Sequence, residues 1–181
     1  MTRRIVIVGG VAAGTKAAAR ARRRDPDAEI TLVEKGDLIS YAGCAMPYYV
    51  SHAIETPQEL VVTRLEEFTL LRNVNVLTNT EAVSIDRAAR TVLVRRLPGG
   101  ETALLPYDSL VLTTGAVPVV PSLEGRDLAG GYRLKEPADA IRIREDVDAG
   151  RVQRAVVVGG GLIGMEMAEA LTVRGVRVAV V

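Results

Sequence analysis

Cys44 is the only cysteine among 181 residues, and it lies in the run Ile39-Ser40-Tyr41-Ala42-Gly43-Cys44-Ala45-Met46-Pro47-Tyr48-Tyr49. A thiolate can attack a disulfide or pass through a sulfenic acid. Pro47 is acceptable in the first turn of a helix, which puts Cys44 at or just before a helix N-terminus. There the helix dipole favours the charged thiolate. With no second cysteine, an intramolecular disulfide is excluded, and any thiol chemistry needs an external sulfur, oxygen or redox cofactor as its partner. Taken alone, one cysteine in an apolar segment is more often an inert packing residue.

A second chemical signal is repeated. Arg4-Ile5-Val6-Ile7-Val8-Gly9-Gly10-Val11-Ala12-Ala13-Gly14 and Arg154-Ala155-Val156-Val157-Val158-Gly159-Gly160-Gly161-Leu162-Ile163-Gly164 are copies of one device, offset by 150 positions. Each is a strand rich in β-branched residues, a glycine turn, and a helix opening with small or aliphatic residues: the start of a Rossmann βαβ unit, whose helix N-terminus presents N–H groups to a pyrophosphate. The second copy has Gly159, Gly161 and Gly164 in full, whereas Val11 replaces the middle glycine of the first. One glycine motif is weak evidence, and two in register are strong. Glu34 closes the strand Glu29 to Val33, 20 residues beyond Gly14, where a carboxylate can hold a ribose hydroxyl pair. A solvated strand end is the plainer alternative for it.

These motifs need a scaffold, and the rest of the chain supplies one. Short alternating strands are expected at Val74 to Leu77, Ala82 to Asp86, Thr91 to Arg96 and Ala103 to Leu105, with Pro98-Gly99-Gly100 as a hairpin turn. A more apolar strand, Ser109 to Thr113, ends at Thr114-Gly115. Pro118, Pro121 and Gly125 mark an extended connector, and Pro137 to Ala149 reads as a helix. The fold class is therefore α/β: a Rossmann-type domain with an antiparallel β-meander over 1–115, a connector over 116–150, and the beginning of a second Rossmann domain over 151–181.

Composition narrows the partners. A net charge of +1 gives no general attraction to polyanions. The basic cluster Arg20, Arg22, Arg23 and Arg24 falls in the last turn of the first helix, where cations complement the dipole, so nucleic acid is not expected. No stretch approaches the length of a membrane span, and no secretory signal opens the chain, so a cytoplasmic location is expected. No metal site is expected. His52, the single histidine, is expected at the surface rather than as an acid.

Together, Ile7-Val8-Gly9-Gly10-Val11-Ala12-Ala13-Gly14, Glu34-Lys35, Ser40-Tyr41-Ala42-Gly43-Cys44-Ala45-Met46-Pro47-Tyr48-Tyr49, Thr113-Thr114-Gly115-Ala116 and Gly159-Gly160-Gly161-Leu162-Ile163-Gly164-Met165-Glu166 carry a family resemblance. The sequence resembles the single-cysteine branch of the pyridine nucleotide-disulfide oxidoreductases, above all coenzyme A disulfide reductases and persulfide or polysulfide reductases. Those usually read Ser-Phe-Ala-Asn-Cys-Gly-Leu-Pro-Tyr, so Gly43, Ala45 and Met46 depart from the pattern around the cysteine.

The resemblance implies FAD and either NADH or NADPH as cofactors. It implies that Gly9, Val11, Ala12 and Gly14 border the FAD pyrophosphate, Glu34 holds the adenosine ribose, and Lys35 and the Val83 backbone meet the adenine end. Thr114 and Gly115 would pack on FAD, with Ser40 and the redox-active Cys44 at its isoalloxazine. Gly159, Gly161, Leu162, Ile163 and Gly164 would cradle the nicotinamide dinucleotide, with Glu166 near the nicotinamide. Related NADH peroxidases and oxidases usually carry a histidine where Ala12 stands, which disfavours peroxide chemistry. A small thiol or disulfide is the implied substrate, and an acid for the leaving thiol, if one is needed, would be Tyr48, Tyr49, water or a group outside these 181 residues. A cysteine sulfenic acid oxidase and a non-catalytic electron-transfer flavoprotein are the alternatives. Val181 falls inside an expected strand, so the chain reads as the N-terminal part of a longer, homodimeric enzyme and is expected to be inactive alone.

Overall fold

The computed structural model describes residues 2–126 and 128–181. In chain order the elements are β1 (Arg4–Val8), α1 (Ala13–Arg24), β2 (Glu29–Val33), α2 (Met46–Val50), β3 (Asn75–Leu77), β4 (Thr80–Asp86), β5 (Thr91–Arg96), β6 (Thr102–Pro106), β7 (Ser109–Leu112), α3 (Pro137–Asp148), β8 (Arg154–Val157), α4 (Leu162–Val173) and β9 (Arg177–Val180). A 3-10 turn at Gly43–Ala45 leads into α2, and a π-helical turn covers Glu67–Leu71. Packing divides the chain into two units, Met1–Tyr41 with Val61–Ala116 and Ala42–Leu60 with Val117–Val181.

In the first unit a parallel sheet runs β3-β2-β1-β7. Strand β1 is buried on both faces, which is why it reads as an unbroken apolar run rather than an alternation. Ile5 and Ile7 join Ile30, Leu32 and Ala18 of α1 in one cluster, while Val6 and Val8 join Val33, Val92, Val94 and Tyr107 in another. The second cluster includes the meander β4-β5-β6, so that hairpin sheet covers one face and α1 the other. The alanines of α1 favour helix and let it lie close to the sheet. Its basic end is put to local use: Arg22 donates to the carbonyls of Pro26 (2.5 Å), Asn73 (2.7 Å) and Arg72 (3.1 Å).

The strand expectations hold for β2 and β5 and shift elsewhere. Strand β4 starts at Thr80, not Ala82, because its ladder with β5 extends to Thr80↔Arg96 and Glu81↔Arg95, and the register steps from Ala82↔Val94 to Ser84↔Leu93. Val83 is the extra residue of that bulge, and the side-chain alternation resets across it.

The second unit holds β8 and β9 as a parallel pair with α3 and α4. Its core joins Met46, Tyr49 and Val50 of α2 and Leu60 with Ala140, Ile143 and Val147 of α3 and Met167, Ala170 and Leu171 of α4. The expected division placed the cysteine segment within 1–115 and treated 116–150 as a connector. By packing, Ala42–Leu60 and α3 both belong to this core instead. The α3 N-terminus has a capping box that the sequence reading did not single out, Glu136 with Asp139, beside Pro137 in the first turn.

Candidate active site

In the first unit the chemistry gathers at the carboxyl ends of the paired parallel strands β1 and β7. That is where open α/β sheets take their ligands. Gly9 turns with φ of +102° and donates its N–H to the Val33 carbonyl at 2.8 Å. A Cβ on Gly9 would stand 2.1 Å from the Thr113 carbonyl oxygen, and one on Gly14 would stand 1.7 Å from the Gly9 carbonyl oxygen. Only glycine fits at both places. Thr113 closes the turn from the other side, its hydroxyl donating to the carbonyls of Val8 (2.8 Å) and Gly9 (2.9 Å). The sequence places Thr113 at a strand end and in the segment Thr113-Thr114-Gly115-Ala116, without assigning its hydroxyl a role.

Helix α1 then begins with no side-chain cap and no acidic residue in its first turn. Val11 is half-buried and Ala12 exposed at this end, where the first N–H groups of a helix have no partner within it. Glu34 is more than a solvated strand end: Oε2 accepts the Gly10 N–H at 2.6 Å and Oε1 the Gly36 N–H at 2.8 Å. A carboxylate with about four acceptor positions keeps capacity for further hydroxyl donors. Ser40 is buried with φ of +52°, donates its N–H to the Gly10 carbonyl (2.9 Å) and accepts from the Val62 N–H (2.7 Å).

Lys35 pairs with Glu81 at 2.9 Å, and Arg95 binds the same carboxylate at 2.5 Å. Hydrogen bonds from Lys35 and then Arg95 hold Glu81 below the usual carboxylate range. Val83 is exposed, and as the extra residue of the bulge it stands outside the ladder pairing that would otherwise occupy its backbone. Thr114 and Gly115 are exposed, Gly115 with φ of +70°. Gly9, Val11, Ala12, Gly14, Glu34 and Ser40 are thus tied into one loop cluster by short backbone links. Lys35, Val83, Thr114 and Gly115 belong to the same unit.

The second unit repeats the turn. Gly159 has φ of +108°, its N–H donates to the Val181 carbonyl at 2.7 Å, and a Cβ on Gly164 would lie 2.0 Å from the Gly159 carbonyl oxygen. Gly161 caps α4, again without a side-chain cap or a first-turn acid. Leu162 and Ile163 are exposed beside it, and Glu166 is half-buried on the next turn. Both cradles have the shape and the unspent N–H donors that a dinucleotide pyrophosphate requires.

Cys44 belongs to this unit. Its side chain is exposed in the turn Gly43–Ala45, directly before α2, as the proline signal indicated. Buried Met46, Pro47, Tyr49 and Val50 anchor the helix. A Cβ on Gly43 would meet only Met46 Cε, at 3.7 Å, so packing does not require glycine there. Tyr48 is exposed, whereas Tyr49 is buried with its ring 4.3 Å from the Arg144 guanidinium, which favours Tyr48 of the two candidate acids. His52 is half exposed and hydrogen-bonds Asp148. Among the described residues no three His, Cys, Asp or Glu side chains gather as a metal site, and no helix is long and apolar enough to cross a membrane.

The family model described as "Pyridine nucleotide-disulphide oxidoreductase" matches residues 3–181. The chain belongs to that family. The NAD(P)H coenzyme A polysulfide/persulfide reductase of Pyrococcus horikoshii is 36% identical over 181 residues, all of this chain and 40% of the relative. The chain thus spans about two fifths of the length of that curated relative. A NAD-dependent persulfide reductase from A. fulgidus superposes with a TM-score of 0.93 at 43% identity, over 98% of this chain and 33% of the other. A water-forming NADH oxidase from Lactobacillus brevis, bound to NADH, gives a TM-score of 0.92 at 33% identity, over 99% and 39%.

Proposed function

We propose that this chain carries the pyrophosphate cradles and the reactive thiol of an FAD-dependent NAD(P)H oxidoreductase. Its substrate is a small disulfide, persulfide or polysulfide, coenzyme A disulfide foremost. The observation that carries the reading is the duplicated glycine cradle, in which Gly9 with Gly14 and Gly159 with Gly164 leave room only for backbone. One cradle serves FAD and the other the nicotinamide dinucleotide. When bound, FAD supplies the two-electron chemistry that links nicotinamide to sulfur.

The residues divide the remaining work. Gly9, Val11, Ala12 and Gly14 hold the FAD pyrophosphate, Glu34 the ribose hydroxyls, Lys35 and the Val83 backbone the adenine end, and Ser40, Thr114 and Gly115 the rest of the flavin nucleotide. Gly159, Gly161, Leu162, Ile163 and Gly164 hold the nicotinamide dinucleotide, with Glu166 toward its nicotinamide. The Cys44 thiolate attacks one sulfur of the disulfide, forms a mixed disulfide and expels the first thiolate. Two electrons then cleave that mixed disulfide, releasing the second thiolate and restoring Cys44. Tyr48 or water protonates the departing sulfur. Reduction of an external disulfide fits a protein region whose single thiol has no internal partner.

The test is Cys44→Ser in the whole protein, with anaerobic NADH titration followed by flavin absorbance and coenzyme A disulfide turnover. Flavin reduction should survive, while turnover falls on the order of 10³-fold or more. Unchanged turnover would falsify the nucleophile assignment. The likeness to an NADH oxidase supports a second reading, in which Cys44 cycles through sulfenic acid. Oxygen uptake exceeding disulfide turnover would favour it.

A further inference from the structure

The helix that follows Cys44 is only five residues long, too short to hold its own shape. Its far end is fastened by a polar cluster distinct from both glycine cradles. Arg144 of α3 donates from Nη1 to the carbonyls of Tyr49 (3.1 Å) and Ile54 (2.9 Å), while its guanidinium lies over the Tyr49 ring. Arg174, the C-cap of α4, donates from Nη1 to the Val50 carbonyl at 3.3 Å. The last carbonyls of a helix have no partner within it, and charged donors make the strongest substitutes.

The two guanidinium groups are largely buried, their side chains 12% and 20% exposed, and buried cations need a counter-charge. Asp148 supplies it. Its Oδ1 lies 2.6 Å from Arg174 Nη2 and its Oδ2 lies 3.7 Å from Arg144 Nε. Burial works to raise this carboxyl, but hydrogen bonds from Arg174 and His52 outweigh it and hold the group below the usual carboxylate range. His52 adds a link at 3.1 Å to the same Oδ1 from a left-handed backbone, φ of +67°, just past the end of α2.

We infer that Arg144, Arg174 and Asp148 are positioning residues for Cys44, clamping the distal end of its helix to α3 and α4 so that the thiol keeps one orientation. The arrangement has a mechanical logic. Helix α4 starts at the second glycine cradle and ends at Arg174, so one rigid element carries the dinucleotide turn at one end and the tie to the cysteine helix at the other. Arg144 holds the same helix from α3, and Asp148 keeps both guanidinium groups aimed at carbonyls. The inference rests on Cys44 being the attacking thiol.

The experiment compares Arg144→Met, which keeps the stem and drops the donors, with Arg144→Lys and Asp148→Asn, in the FAD-loaded whole protein. Three quantities are read: the rate of Cys44 alkylation by iodoacetamide across pH, kcat and KM for coenzyme A disulfide, and the rate of flavin reduction by NADH. In Arg144→Met, alkylation and kcat should fall together by about tenfold, the scale expected for a displaced reacting group. KM and flavin reduction should change little. Arg144→Lys should recover part of the loss, and Asp148→Asn should lower both rates in the same direction.

A folded Arg144→Met protein with the parent's alkylation profile and kcat overturns the clamp. If Arg144→Met does not fold, Asp148→Asn decides, and parental alkylation in that variant overturns the clamp equally. Slowed alkylation with unchanged disulfide turnover would instead overturn Cys44 as nucleophile while leaving the clamp in place. The two failures are therefore separable.

Discussion

Glu34 shows how a single residue is prepared before any ligand arrives. Both its carboxylate oxygens are fixed by backbone N–H groups, at Gly10 and Gly36, so their remaining lone pairs point in set directions. Glu34→Gln removes the charge and turns an NH2 group toward one of those donors, leaving an N–H without its acceptor. Losing a charged hydrogen bond costs roughly 1.5–3 kcal/mol, so FAD affinity should weaken between about tenfold and a hundredfold. Quenching of flavin fluorescence on titration would measure it, and an unaltered dissociation constant would remove Glu34 from the ribose site. That Glu34 follows directly on β2 was legible from the apolar run before it. Its Gly10 partner was not, since that N–H reaches the carboxylate only once β1 and β2 lie side by side, whereas the Gly36 N–H is a local turn two residues on. Thr113 was hidden for the same reason: its hydroxyl bridges residues more than 100 positions away.

At the scale of elements, the cradles make a graded prediction. Gly14→Ala forces a Cβ to 1.7 Å from the Gly9 carbonyl and Gly164→Ala to 2.0 Å from the Gly159 carbonyl, while a Cβ on Gly160 meets nothing within 4 Å. Overpacking against rigid backbone costs about 3 kcal/mol or more at the first two sites and little at the third. Thermal melts should order the variants that way. Gly14→Ala should also lower FAD content, whereas Gly164→Ala should raise the KM for the nicotinamide dinucleotide. An equal effect of all three would mean that close helix approach is not what the glycines provide. The two cradles were readable from sequence because their glycines recur at one spacing after strands of one character. Strand β4 was only partly readable, since the bulge at Val83 breaks the period that reveals a strand. The short helix after Cys44 was signalled by Pro47 alone, and its stability comes from the α3 and α4 residues packed on it.

The molecule as a whole should weaken in acid. Glu81 with Lys35 and Arg95, Asp108 with Arg4, and Asp146 with Tyr132 and Arg151 are each held below the usual carboxylate range by those hydrogen bonds. In the acid range the folded chain therefore binds fewer protons than the unfolded chain. The stability these groups add is fully present above the ordinary carboxylate values and drains away as pH falls through the depressed ones. Melting temperature should be level down to about pH 5 and decline below it. Because these pairs are exposed, the decline should be shallower at high salt. What the sequence concealed at this scale was the sorting of segments. The glycine repeat suggested consecutive domains, but the apolar face of Met46, Tyr49 and Val50 finds its partners in α3 and α4. Sequence order could not show that pairing. It also bears on birth at the ribosome: the carbonyls at and just past the end of the cysteine helix wait for two arginines, Arg144 at 90 and 95 positions downstream and Arg174 at 124. A nascent chain that has just made Cys44 has nothing to fold it against, so that helix is among the last parts to settle as synthesis proceeds.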